Sequence, residues 1–318
     1  MLEPLLFKPV YKDYLWGGTR IAERFGRTAA PAVCAESWEL SDRPEGMSVV
    51  ESGAYAGKTL SELVKSHGES LLGQGKKASA FPLLVKIFDT HQRTSLQVHP
   101  DAACARRTGG NAKNEMWYML GGSPEATVSV GFRKRMTRKT LTGIVENRER
   151  DGMETLLNRY PAGEGTAFFI PAGCVHSTEA GCLILEVQQN SDTTYRLWDW
   201  NRKGPDGKPR KLHFAESLAA IHWNAQPMLF PSAGAKSVMP TPFFTVERYR
   251  TRRAICLDTE YARFDILFPS RQAATVVYGD SKTAIIPEGR ACLIPAEVGK
   301  YRIAAAEGTR EILRIFIP

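Results

Sequence analysis

The strongest constraint on this chain is a segment it contains twice. Glu164-Gly-Thr-Ala-Phe-Phe-Ile-Pro-Ala172 returns as Glu288-Gly-Arg-Ala-Cys-Leu-Ile-Pro-Ala296, with Glu, Gly, Ala, Ile, Pro and Ala in register. Each copy is a short apolar run between Gly and Pro, which reads as a strand bounded by tight turns. A strand repeated with its flanks implies a repeated scaffold, and 318 residues with 43% hydrophobic content suffice for two cores. The first copy continues to His176, whereas the second continues Glu-Val-Gly-Lys-Tyr301 with no histidine. Two related barrels are expected, and only the first keeps whatever the histidine serves.

Other segments agree. Residues 81–89, 125–132, 165–172, 182–189, 274–279 and 292–296 are apolar or β-branched runs bounded by Gly, Pro, Asn and Asp, so the fold class is mainly β. Helical periodicity appears at 58–72, 138–160 and 214–223, and these helices are read as decorations on the first barrel. The stretch 226–242, rich in Pro, Ser and small residues, reads as a linker. Domains at 1–235 and 236–318 follow, the second smaller and without metal ligands, with a role in packing or as a lid.

The net charge of +8 suits an anionic partner. Neither a zinc-finger pattern nor an aromatic RNA-binding signature is present, so nucleic acid is not expected. The basic run Arg133, Lys134, Arg135, Arg138 and Lys139 reads as solvated surface. No window approaches the roughly 20 apolar residues of a membrane span, and the first residues lack a secretory layout; a cytoplasmic protein with no membrane partner is expected. Six cysteines without a CxxC pair read as reduced, buried thiols.

Chemistry concentrates elsewhere. In Thr94-Ser-Leu-Gln-Val-His-Pro100, strand alternation puts Gln97 and His99 on one face. Glu115 opens a further apolar run and His176 ends the segment that begins at Gly165. Two imidazoles, a carboxylate and an amide oxygen make a set suited to Zn²⁺, with Mn²⁺, Fe²⁺ and Co²⁺ as alternatives. His67, His91, His213 and His222 lack such company and read as hydrogen-bonded core residues. The spacing Gly165-x5-Pro171-x-Gly173-x2-His176 resembles the second motif of cupin barrels, and Leu96-Gln-Val-His-Pro100 the first, with Gln for the leading His. The interval to Glu115 implies a loop insertion over 101–113.

Over nearly its whole length the chain resembles the type I mannose-6-phosphate isomerases, in their short bacterial form. The resemblance rests on Tyr14-Leu-Trp-Gly-Gly18, Ala35-Glu-Ser-Trp38, Phe81-Pro-Leu-Leu-Val-Lys86, Ser95-Leu-Gln-Val-His-Pro100, Lys113-Asn-Glu115, Ile170-Pro-Ala-Gly-Cys-Val-His176 and Gln188-Gln-Asn-Ser-Asp-Thr-Thr-Tyr-Arg196-Leu-Trp-Asp-Trp200. It implies two cupin-type jelly-roll barrels, one Zn²⁺ per chain on Gln97, His99, Glu115 and His176, and interconversion of mannose 6-phosphate and fructose 6-phosphate through an enediol. Arg196 matches the family's active-site arginine, which steadies the enediolate or the phosphate. Lys86 and Ser95 match positions linked to phosphate, although Lys86 also reads as an ion-paired partner of Asp89. Lys113 shares the strand face of Glu115 and so approaches the substrate.

Glu36, an ionised residue in an apolar stretch, is a pocket candidate, and Asp199 is similar. Trp16 offers a sugar an apolar face; Trp38, Trp117, Trp198 and Trp200 read mainly as core. The rival readings are an iron oxygenase of the same fold, a non-catalytic sugar-binding barrel, and an isomerase of a related sugar. Neither the proton carrier nor the oligomeric state is legible.

Overall fold

The computed structural model describes residues 2–133, 136–147, 149–204, 207–230, 232 and 234–318. Lys134 and Arg135 of the basic run lie outside them; Arg133, Arg138 and Lys139 are exposed, as expected. The described strands form four sheets. The six apolar runs singled out above supply strands Leu83–Thr90, Thr127–Phe132, Ala167–Ile170, Cys182–Gln189, Ala274–Tyr278 and Cys292–Ile294.

The chain divides into two compact units, one of Tyr11–Ser37 and Lys86–Ser232, the other of Met1–Val10, Trp38–Val85 and Ala233–Pro318. This is not the linear division at residue 235. Leu5–Leu6 pairs with Cys292–Ile294 and so caps an edge that would otherwise present unpaired backbone groups. Helix Leu60–Leu72 likewise packs with the second unit, against the turn Ala296–Val298, and does not decorate the first. The expected linker contains two strands, Met228–Phe230 and Lys236–Pro240, which pair with Ala167–Ile170 and Thr245–Thr251.

Each unit has the same plan. A seven-stranded sheet, most of whose residues are in the first, runs in the order Met228–Phe230, Ala167–Ile170, Glu115–Gly122, Cys182–Gln189, Leu83–Thr90, Glu36–Leu40, Val10–Lys12. Its companion runs Tyr195–Trp198, Leu96–Val98, His176–Thr178, Thr127–Phe132, Leu157–Pro161. Trp117, Phe168 and Ile184 of the larger sheet meet Val128 and Val130 of the smaller, so one apolar layer lies between two sheets. In the second unit the larger sheet runs Leu5–Leu6, Cys292–Ile294, Asp265–Arg271, Arg310–Phe316, Thr245–Thr251, Lys236–Pro240. The smaller runs Ile255–Asp258, Lys300–Ile303, Ala274–Tyr278, Lys282–Ile286. Leu267, Ile294 and Ile312 there meet Val276, Ile286 and Ile303. Two facing sheets per unit is the cupin-like, jelly-roll architecture expected.

The helical pattern at 138–160 resolves into Arg138–Glu146 and Arg150–Thr155, after which Leu157–Pro161 is a strand. Pairing with Thr127–Phe132 overrides local propensity there. The supposed loop at 101–113 is partly a helix, Ala102–Thr108, capped by Asp101, whose side chain accepts from the Cys104 backbone N–H. The four histidines read as core are not buried: His91 and His222 are exposed, His67 and His213 partly so. His67 lies on the helix Leu60–Leu72, His213 at the N-cap of Phe214–Ala220, and the His222 ring pairs with Asp101 at 3.0 Å, positions that leave an imidazole open to water. Cys256 is exposed, unlike the other five thiols.

One turn matters most for the site. Gly173 adopts φ 82°, its N–H donates to the His99 carbonyl, and its own carbonyl accepts from the His222 N–H. A Cβ at Gly173 would lie 2.5 Å from the His222 ring. Gly173→Ala is expected to destabilise the protein by roughly 1–3 kcal/mol, from the left-handed backbone and this clash together. Thermal unfolding checks the loss, and metal content checks that His176, three residues on, is displaced with the turn.

Candidate metal centre and active-site pocket

Strand register brings the four residues predicted as ligands to one place. His176 stands opposite Gln97 across its sheet. Glu115 opens a strand of the facing sheet, between Ile170 and Gln188. His99 follows the strand Leu96–Val98. Glu115 Oε2 lies 3.3 Å from His99 Nε2, and Oε1 lies 3.2 Å from His176 Nε2. Gln97 Nε2 lies 3.1 Å from His176 Nε2.

The tautomers follow from the partners. His99 Nδ1 is 2.9 Å from the Thr193 carbonyl and His176 Nδ1 is 2.9 Å from the Cys174 carbonyl. A carbonyl only accepts, so each Nδ1 carries the proton and each Nε2 presents a lone pair. Burial, then the nearby Lys113, lowers the pKa of His99 to about 3, and burial likewise lowers His176, so both rings are neutral at physiological pH. Burial, the largest single influence, would raise Glu115, but Lys113, His99 and His176 together outweigh it and hold the carboxylate well below its usual range. Three lone-pair donors thus face one another within 4.8 Å. Among the described residues, His99 Nε2 and Glu115 Oε1 lack a hydrogen-bond donor, and Glu115 Oε2 meets one only in Lys113. Acceptors converging without hydrogens repel, and a cation between them removes the conflict. The residues therefore fit a divalent ion.

Around this group lies a chain of alternating charges. Lys113 Nζ sits 3.0 Å from Glu115 Oε2 and 3.2 Å from Glu186 Oε1. Lys86 Nζ sits 3.0 Å from Glu36 Oε1 and 3.5 Å from Glu186 Oε1. Both lysines are buried, which opposes their charge, yet the carboxylates prevail and raise both pKa values. Glu186 is raised by burial first and by Glu115 second; its Oε2 accepts from the Trp117 indole at 3.1 Å. Lys86 therefore pairs with glutamates and not with Asp89, whose carboxylate is engaged by Arg20 at 2.5 Å.

These groups line a cavity of about 320 Å³, together with Tyr14, Trp16, Ser95, Gln97, Asp192, Arg196 and Arg210. Lys86, Ser95, Trp16, Glu36, Lys113 and Arg196 all border it. Asp199 does not. It is buried beneath the arginines, 2.8 Å from Arg210 Nε and 2.6 Å from Arg202 Nη2. Arg196 donates from Nη1 to the Lys211 carbonyl at 2.9 Å, and burial, then Arg210, lowers its pKa. Trp38, Trp198 and Trp200 are core.

A model of the phosphomannose isomerase type I catalytic domain matches residues 5–132. A mannose-6-phosphate isomerase of Bacillus subtilis is 42% identical over 221 residues, 69% of this chain and 68% of that protein. One of Streptococcus mutans is 35% identical over 257 residues, 79% of each. The chain belongs to the type I mannose-6-phosphate isomerase family. The solved mannose 6-phosphate isomerase of Bacillus subtilis superposes over 99% of both chains with TM-score 0.84 and 29% identity. An Archaeoglobus fulgidus structure described as a putative mannosephosphate isomerase, at 22% identity and TM-score 0.80, shares the fold.

Sequence reasoning missed Glu186, Asp192 and Arg210. Glu186 had a signal, since it interrupts the apolar run Cys182–Gln189 as Glu36 interrupts its own. Arg210 had none, because it reaches the pocket from an irregular segment. The lysine pairs predict a pH effect. A lysine pKa raised in the fold contributes stability that is complete below the unfolded value of 10.5 and lost as pH climbs above it. Alkaline titration of stability should therefore fall more steeply above that pH for the native protein than for Lys86→Met.

Proposed function

We propose that this chain interconverts mannose 6-phosphate and fructose 6-phosphate in the cytoplasm as a zinc-dependent isomerase. The observation that carries the reading is the convergence of His99, Glu115 and His176 beside a pocket lined by Lys113, Glu186 and two arginines, in a member of this family. Gln97, His99, Glu115 and His176 would hold the ion, Gln97 by turning its amide oxygen inward, a half-turn that leaves the side-chain outline unchanged. Neutral imidazoles with a carboxylate and an amide suit Zn²⁺. When bound, the ion supplies a Lewis acid for oxygen atoms of the substrate at C1 and C2.

The chain's own residues do the rest. Aldose and ketose differ by a proton moved between C1 and C2, so the pocket needs a group that takes and returns it. Glu186 has the required upward-shifted carboxyl, and Lys113, 3.2 Å away, is a protonated partner able to donate. Lys86 and Glu36 fix Glu186 from the other side. Arg196 and Arg210 bring two guanidinium groups to the cavity wall, a match for a phosphate dianion, and Asp199 holds Arg210 in place. Trp16 and Trp117 bound the sugar's apolar surface.

Chelation should abolish turnover of mannose 6-phosphate, zinc should restore it, and His176→Ala should neither bind the ion nor turn over. Metal analysis together with a coupled assay for fructose 6-phosphate checks all three; a His176→Ala protein as active as the parent would refute the site. Lys113→Met is expected to lower kcat by on the order of 10²–10⁴-fold with a smaller change in KM. Arg210→Ala should raise KM for mannose 6-phosphate while leaving any rate on unphosphorylated mannose unchanged. Equal losses on both sugars would remove the phosphate role.

A further inference from the structure

The repeated segment allows the two units to be compared residue by residue. Ile170, seventh in the first copy, stands opposite Glu115; Ile294, seventh in the second, stands opposite Asp265. The next strand in each larger sheet extends the match. Trp117, two residues after Glu115, faces Glu186, and Leu267, two residues after Asp265, faces Arg314. Two residues before the carboxylate stand Lys113 in one unit and Arg263 in the other. The strands involved occupy corresponding places in the two sheet orders.

By this register Asp265 takes the place of Glu115, and Arg314 takes the place of Glu186 with the charge reversed. Asp265 is fully buried, and Arg314 Nε lies 2.9 Å from its Oδ1. Tyr301 donates to Asp265 Oδ2 at 2.7 Å. Tyr301 lies on Lys300–Ile303, the strand after the second copy, as His176 lies on the strand after the first. The guanidinium is satisfied on its remaining sides: Nη1 donates to Glu247 Oε2 at 3.2 Å and Nη2 to the Asp258 carbonyl at 3.1 Å. Glu247 in turn accepts from Tyr249 at 2.6 Å. Hydroxyl donors and a fixed cation surround the carboxylates here, where the first unit has imidazole lone pairs.

We propose that the C-terminal sheet pair keeps the layout of the metal centre and fills it with its own cation, the guanidinium of Arg314, as a closed counterpart that takes no ion. A guanidinium is permanently charged and forks between two carboxylates, so it neutralises the buried Asp265 as an ion neutralises Glu115.

The test uses the full chain. Arg314→Ala should lower Tm by roughly 5–10 °C, because it leaves Asp265 buried and unpaired. Millimolar guanidinium chloride, compared with sodium chloride at equal strength, should recover part of that loss, while the exposed Arg250→Ala gains nothing. Where Arg314→Ala yields no folded protein, the pair Arg314→Met and Asp265→Asn carries the test: the double variant should lose clearly less Tm than the sum of the single ones. In the metal-loaded protein, Asp265→Asn should retain all bound zinc. Absence of guanidinium recovery, additive losses, or zinc lost with Asp265→Asn would each overturn the proposal.

Discussion

A carboxylate with no access to water has to be neutralised by something, and Glu115 is such a group. The first unit is arranged around that requirement. Lys113 supplies a positive charge at one oxygen of Glu115, two imidazoles present lone pairs beside the carboxylate where a cation would sit, and each imidazole is oriented by a backbone carbonyl that fixes its tautomer. The carbonyls belong to Thr193 and Cys174, so the segments that precede Arg196 and His176 are tied to the centre through main-chain atoms, which side-chain substitution leaves intact. Strand register is specified by the same demand, since a slip of one residue would turn Glu115, Gln97 or His176 to the opposite face.

The pocket extends this logic outward. Glu36, Lys86, Glu186, Lys113 and Glu115 form an alternating series in which every charge touches an opposite one. Such a network is rigid when complete, and removal of one member leaves its neighbour buried and unpaired. Farther out, Asp199 anchors Arg202 and Arg210, so Arg210 at the cavity is set by a buried acid that does not line it. In this unit the same contacts that shape the pocket also neutralise its buried charges.

Much of this was readable from residue types and spacing, and the misreadings have physical causes. Gln97 and His99 were placed on one face by strand alternation, and a Pro-Gly turn before His176 was expected from spacing. Periodicity over 138–160 reported helix to the end, yet Leu157–Pro161 is a strand, because pairing to Thr127–Phe132 is invisible in the local pattern. Residues 226–242 looked like a linker by composition, but backbone pairing depends little on side-chain type and turned both ends of the segment into strands. Lys86 was offered Asp89 as a neighbour in sequence, and the fold gave it Glu36 and Glu186.

The sequence by itself determined the strand-rich class, the duplication and the identity of the converging set, because turn residues, apolar runs and the chemistry of lone pairs are local properties. Only the tertiary structure decided that residues 1–10 and 38–85 fold with the C-terminal unit, that Glu186 sits between two lysines, and that Arg314 pairs with the buried Asp265. Those facts depend on which strands become neighbours. That choice is made by burying two sheets against each other over the whole unit, and no short window of residues contains it.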